Sequence, residues 1–220
     1  MNDNSKKISI FDLDGTLTKS DTYLPYLIGF LKRNPKRWLK AIVLPFAVVM
    51  FYLKMRNNQW LKTIFLTVIL GGETKESIVA WNKIFLDKLF AEGLREDIVA
   101  ILKKRQNAGD IVMLCSASID VYVLEIQNRF AIEHLTCTNT LWKDGCLTGE
   151  LDGNNCYGLE KLAKVKAYMK EHNILGEISM YSDHASDWPI MNYANKAYAV
   201  YPSDKMRIIA LENNVGIIEK

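Results

Sequence analysis

The chain is poor in the residues from which metal and thiol sites are usually built. Its 220 residues include three histidines and four cysteines. No Cys-x-x-Cys pair and no Cys/His group at zinc-site spacing occurs, and His134, His172 and His184 are scattered along the sequence. Cys115, Cys137, Cys146 and Cys156 are therefore expected as free thiols rather than as a disulfide framework. No apolar run reaches the roughly 20 residues that cross a bilayer. Met1–Ile10 has no apolar stretch of the signal-peptide kind, so a cytosolic protein is expected. Net charge is small as well: 28 Lys/Arg against 25 Asp/Glu leave +3, too little to indicate nucleic acid as a partner. Internal repeats and low-complexity segments are missing. What remains is 49% hydrophobic and 24% charged, at a length that suits one globular domain or a core with a modest insertion.

Four short apolar runs each stop at a polar turn. Lys7–Phe11 ends at Asp12-Leu13-Asp14-Gly15-Thr16, and Ile111–Cys115 ends at Ser116-Ala117-Ser118. Ile178–Tyr181 ends at Ser182-Asp183-His184, and Ala197–Tyr201 ends at Pro202. Such runs read as buried strands. Helical patterns lie between them at Arg95–Asn107, Ile119–Phe130 and Glu160–His172, which predicts an α/β fold with a mainly parallel sheet. Leu135–Trp142, Lys143-Asp144-Gly145 and Cys146–Leu151 together predict a β-hairpin about an Asp-Gly turn. From Thr18 to about Glu92 no strand alternation is seen, only helices over roughly Thr22–Arg33, Lys36–Lys54, Gln59–Leu70 and Thr74–Leu89. A helical block inserted after the first strand sits over that strand's carboxyl end, where open α/β sheets bind ligands.

Asp12 and Asp14 flank one leucine at the end of the first strand. One carboxylate of such a pair can attack while the other exchanges a proton with the leaving group. Two carboxylates this close need a cation to stay ionised together, and their hard oxygens suit Mg²⁺. A bare Asp-x-Asp is common in solvated turns. The full string Phe11-Asp12-Leu13-Asp14-Gly15-Thr16-Leu17-Thr18 after an apolar strand is far more specific.

This string resembles the first motif of the haloacid dehalogenase superfamily, and the other motifs follow in order over nearly the whole chain. The position of the helical insertion is similar to that of the C1-type cap in the phosphoserine-phosphatase-like branch (subfamily IB). The resemblance implies a Rossmann-like core of residues 1–17 and 93–220 with an inserted helical cap, 18–92. It implies a phosphoric monoester hydrolase in which Asp12 becomes an aspartyl-phosphate and Asp14 is the acid/base. Mg²⁺ would be held by Asp12, the Asp14 backbone carbonyl and Asp183, with Asp187 orienting nearby. Ser116, otherwise readable as a helix N-cap, and Lys161, with Lys164 as competitor, would bind the transferring phosphate. The fourth motif departs from its relatives at Ser182 and His184. His184 is more simply a loop residue, and Asp21 a cap for the helix from Thr22. Asp14 disfavours a dehalogenase, which needs neither this acid nor Mg²⁺. A phosphate-binding module without catalysis is the rival from another class.

Within the cap, Ala41–Leu53 carries no charge and is flanked by Lys36, Arg37, Lys40, Lys54 and Arg56. It is too short to span a membrane. Two readings stand side by side: a buried cap core, or an element lying on an anionic membrane. The first goes with a small phosphorylated metabolite as substrate. The second goes with a phospholipid headgroup such as phosphatidylglycerophosphate, on which some bacterial relatives of this branch act.

Overall fold

A computed structural model describes residues 6–219. The chain opens with β1 (Lys7–Phe11) and a tight turn over Leu13–Leu17. It then runs through α1 (Tyr23–Arg33), α2 (Trp38–Ala41), α3 (Leu44–Tyr52), α4 (Asn58–Leu70) and α5 (Lys75–Lys88). Next come α6 (Glu96–Asn107), β2 (Ile111–Ile119), α7 (Asp120–Arg129), β3 (His134–Thr138), β4 (Thr140–Lys143) and β5 (Cys146–Leu151). The chain closes with α8 (Leu159–Glu171), β6 (Glu177–Ser182), α9 (Trp188–Tyr193), β7 (Lys196–Val200), α10 (Asp204–Glu212) and β8 (Gly216–Ile218).

Six strands form one sheet in the order β3-β2-β1-β6-β7-β8, every pair parallel. Helices cover both faces, so Ile8–Phe11 of β1 are all buried, Ser9 being the one polar residue among them. Phe11, Tyr181 and Tyr198 stack across β1, β6 and β7 with centroid separations of 4.4 and 4.8 Å. Each such pair is worth about 0.5–1.5 kcal/mol beyond its buried area, and the stack fixes the register of the strands that carry the acidic loops. The chain turns from β1 to β2 on one side and later to β6 on the other. The crevice between these directions opens at the carboxyl ends of β1 and β6, where Asp12 and Asp183 follow their strands.

The helical interval leaves and rejoins the sheet at one place. Thr18 and Leu94 form an antiparallel bridge, Lys19 N donates to Gly93 O at 2.8 Å, and Arg95 N donates to Leu17 O at 2.9 Å. An aromatic cluster of Tyr26, Trp81, Phe85 and Tyr122 ties α1 and α5 to α7 beneath. The fold is thus a Rossmann-like parallel sheet with an inserted helical cap and a small hairpin, as expected.

Two details differ from expectation. The predicted helix over Lys36–Lys54 is divided into a 3₁₀ turn (Pro35–Arg37), α2 and α3. Pro35 starts the 3₁₀ turn and Pro45 lies in the first turn of α3, where a missing N–H costs nothing but interrupts a continuous helix. The predicted first hairpin arm, Leu135–Trp142, is two strands. Asp120 accepts from Thr140 N at 3.1 Å and from its hydroxyl at 2.7 Å. The chain therefore turns at Asn139, with β3 in the main sheet and only β4 paired to β5. The hairpin braces the cap: a Cβ on Gly149 (φ +89°) would lie 2.3 Å from Thr67 Cα of α4, so only glycine permits this approach.

Candidate active site

Asp12 follows β1 and is 5% exposed. Lys161, in the first turn of α8, reaches it through Nζ to Oδ1 at 2.7 Å and donates to Asp187 Oδ2 at the same distance. Asp187 also accepts from Ser182 Oγ at 2.7 Å. Burial pulls the Lys161 ammonium down, but the Asp12 and Asp187 carboxylates outweigh it and hold the group well above its ordinary value, so it is a cation. Burial pushes Asp12 up against the pull of Lys161, and the neighbouring carboxylates of Asp187, Asp183 and Asp14 push the same way.

Gly15 (φ +79°) turns the chain so tightly that a Cβ there would lie 2.2 Å from Asp183 Oδ2. Asp183 is thereby brought beside the first motif. Thr16 joins the two: its hydroxyl lies 3.4 Å from Asp12 Oδ2 and from Asp183 Oδ1, and it accepts from Asp183 N at 3.0 Å. Burial and the charge of Asp187 raise Asp183 to about 6.

The Asp14 carboxylate is aimed by several donors. Thr22 N lies at 2.7 Å, Thr22 Oγ1 at 2.5 Å and Ser118 Oγ at 2.6 Å. Ser116 is fully buried within β2, which runs on past it to Ile119; it lies 3.4 Å from Asp14 Oδ2, and its hydroxyl accepts from Ser118 N at 3.0 Å. Lys164 points elsewhere, to Cys137 O at 3.2 Å, so of the two candidate lysines Lys161 is the one among the acidic groups. His184 caps the short turn after it through Ser186 N, Asp21 accepts from Leu24 N at 2.9 Å, and both also line the cavity at this site.

Asp12, Asp14, Ser118, Lys161, Asp183 and Asp187 line one cavity of about 740 Å³, within the range of small-molecule sites, whereas Ser116 lies behind Asp14 and is not part of its lining. Its polar end carries Asp12, Asp14, Lys62, Asn155, Lys161 and Asp183. Its other wall is apolar and comes from α1, α3 and α4: Leu24, Val48, Phe51, Leu61 and Phe65.

Sequence reasoning passed over two of these groups. Ser118 shares a strand face with Ser116, a period-two signal already present in Ser-Ala-Ser. Lys62 is the one charge in α4, and a lone cation in an apolar helix is a legible anomaly. Its Nζ crosses from cap to core, donating to Ala117 O at 2.6 Å and Asn155 Oδ1 at 2.7 Å. Burial lowers it from 10.5 to about 8 despite nearby Asp14. Because the unfolded chain then binds more protons than the native one, Lys62 makes stability rise as pH increases from about 8 toward 10.5. Urea midpoints measured across that interval should show this rise in the native protein relative to Lys62→Met. Parallel curves would show that Lys62 is not held in this way.

The donor set fits a hard divalent cation. Asp12 and Asp183 offer carboxylate oxygens, Asp14 offers a backbone carbonyl, and the carboxylates of Asp12, Asp14, Asp183 and Asp187 outnumber the two lysines at this end of the cavity, Lys161 and Lys62. A divalent cation relieves that excess. No cluster of three His, Cys, Asp or Glu side chains suited to a metal occurs among the described residues. Mg²⁺ does not demand one, because it keeps several waters and takes one or two carboxylates.

Residues 10–192 match the model of the haloacid dehalogenase-like hydrolases, and the chain belongs to that family: it is an enzyme, a hydrolase. It is 28% identical over 194 residues to Protein CicA of Caulobacter vibrioides, covering 87% of this chain and 85% of that one. It is 23% identical over 211 residues to the phosphoserine phosphatase SerB1 of Mycobacterium tuberculosis, covering 93% and 68%. A protein of unknown function from Bordetella pertussis Tohama I has the same fold, with a TM-score of 0.86, 22% identity and 98% and 99% coverage. A phospho-aspartyl intermediate analogue of phosphoserine phosphatase superposes with a TM-score of 0.66 at 19% identity, covering 99% and 95%.

Proposed function

We propose that the protein is a Mg²⁺-dependent phosphomonoester hydrolase acting through an aspartyl-phosphate on Asp12. The observation that carries this reading is the Lys161-bound carboxylate of Asp12 beside the aimed carboxylate of Asp14, at the end of a cavity. Asp12 Oδ attacks phosphorus in line with the departing oxygen, and that P–O bond breaks. Asp14 gives its proton to the leaving alkoxide, then takes one from the water that attacks the aspartyl-phosphate. Inorganic phosphate leaves and Asp12 is regenerated. The Thr22 and Ser118 hydroxyls can donate to Asp14 when it is ionised and accept when it is protonated, so its orientation survives the proton cycle. Lys161 and Ser116 neutralise and hydrogen-bond the phosphoryl oxygens, and Asp187 with Ser182 fixes the ammonium in place. Mg²⁺ bound by Asp12, the Asp14 carbonyl and Asp183 would offset charge on the same oxygens. Residues 1–17 and 93–220 act in this reading as the catalytic core, and 18–92 as the cap that shapes the substrate end.

The substrate class is a small phosphorylated metabolite. The naming of the M. tuberculosis relative as a phosphoserine phosphatase supports an ester of this kind. A second reading, a phospholipid headgroup phosphate, is favoured by the apolar wall facing the acidic end of the cavity. Purified protein should hydrolyse a chromogenic aryl phosphate with Mg²⁺ and lose that activity in EDTA. A protein that binds phosphate but releases no phenol would be a binding module instead. In Asp14→Asn, turnover should fall about 10²–10⁴-fold, while acid-quenched protein still carries substrate-derived phosphate. Normal turnover in that variant removes Asp14 from the acid/base role.

A further inference from the structure

The cap carries an apolar surface that the site does not use. Leu39, Ile42, Phe46, Val49 and Leu53 recur at spacings of three and four, forming one stripe over α2 and α3. All five are exposed, between 51% and 82%, while Leu44 and Ala47 on the other side of α3 are buried. Trp38, Val43 and Met55 widen the patch, at 58%, 48% and 62% exposure. The expected buried core of this segment is therefore only half of it. Neighbouring large apolar side chains left in water in this number mark a contact surface.

The charge around the patch says what it contacts. From Thr22 to Gly72 the chain has eight Lys/Arg and no Asp or Glu, although the rest of the sequence is net acidic. Six of the eight (Lys32, Arg33, Lys36, Lys40, Lys54 and Arg56) are exposed, and none is in an ion pair among the described residues. An apolar stripe rimmed by cations alone complements the surface of an anionic bilayer, whose headgroups meet the cations while the stripe enters the headgroup–acyl boundary. Among the described residues no helix is long and apolar enough to cross a membrane, so the geometry is that of lying on the surface.

We propose that the α2–α3 face docks the protein on an anionic lipid surface. The stripe adjoins the cavity, because α3 also gives Val48 and Phe51 to its apolar wall and exposed Tyr52, next in sequence to Leu53 of the stripe, lines the cavity as well. Docking thus sets the cavity rim at headgroup level. This deepens the phosphatase reading by naming the surface at which the site would work, but the docking itself rests on the cap alone.

The test is flotation of the full-length protein with vesicles of phosphatidylcholine, with and without phosphatidylglycerol. Wild type should float with the anionic vesicles only, and less as salt rises. The triple variant Leu39→Asp, Ile42→Asp, Phe46→Asp changes only exposed positions and should partition at least about tenfold less, with aryl-phosphate hydrolysis unchanged. Asp12→Asn should float like wild type, so a failure of catalysis and a failure of docking are read separately. Wild type that stays with the soluble fraction, or a triple variant that floats equally, overturns the proposal. So does sedimentation showing a dimer that the triple variant dissociates, because a second copy would then own the face.

Discussion

Asp12→Asn is expected to reduce hydrolysis of a chromogenic aryl phosphate by about 10⁴-fold or more, the scale on which loss of a nucleophile is felt. An amide has no lone pair comparable to a carboxylate oxygen, so no acyl phosphate forms and no second step follows. The same change should leave the fold intact. Asn matches Asp in shape, and it removes one charge from a cluster in which burial and three other carboxylates already raise Asp12. Lys161 keeps its partner Asp187 at 2.7 Å, so the ammonium is not left alone in the interior. A cooperative urea transition near that of wild type, with activity at background and no phosphate retained after acid quench, is the expected combination. Activity above about a tenth of wild type would take the nucleophile role from Asp12, because background loss of that size needs no covalent step.

The first strand and its acidic turn were legible because Ile8, Ile10 and Phe11 are buried and show as a short apolar run broken only by Ser9. The parallel α/β class followed from similar runs at β2, β6 and β7. Three-residue β8 left no run to read, and β3 merged with the hairpin because its boundary depends on Asp120, twenty residues before Thr140. The convergence of Asp12, Asp14 and Lys161 was suggested by motif order, whereas the partners that aim them were not. Thr22 and Ser118 hold Asp14 through hydroxyls, and hydroxyl residues are too common for position alone to mark them. Lys62 illustrates the opposite case, since its helix is otherwise free of charge and the anomaly stands in the sequence, yet its target, Ala117 O, is visible only in three dimensions. The charge-free segment 41–53 left two readings open because composition does not say which side of a helix is covered.

Lys161→Met should have the largest effect on stability, with a loss of about 3–5 kcal/mol at neutral pH. The reason is the charge it leaves behind. Lys161 is 2% exposed and donates to two carboxylates that are themselves buried, and Asp183 and Asp14 add further negative charge nearby. Without the ammonium, Asp12 and Asp187 must be buried as unpaired anions or take up protons. The second route gives the variant a signature. Carboxylates raised in the native state make it bind more protons than the unfolded chain, so stability falls as pH rises through the interval between the two pKa values. The deficit of Lys161→Met should therefore shrink as pH is lowered from neutrality, and adding Asp187→Asn should recover part of it at pH 7. Urea midpoints for the four corners of this cycle measure both effects. Lys164→Met is the control: its ammonium donates to Cys137 O, away from the acidic cluster, so aryl-phosphate hydrolysis should persist there and vanish in Lys161→Met. A Lys161→Met protein as stable as wild type at pH 7, or one whose deficit is the same at every pH, would mean that this lysine does not balance the cluster. Loss of activity in Lys164→Met with retention in Lys161→Met would transfer the phosphate-binding role to the other lysine.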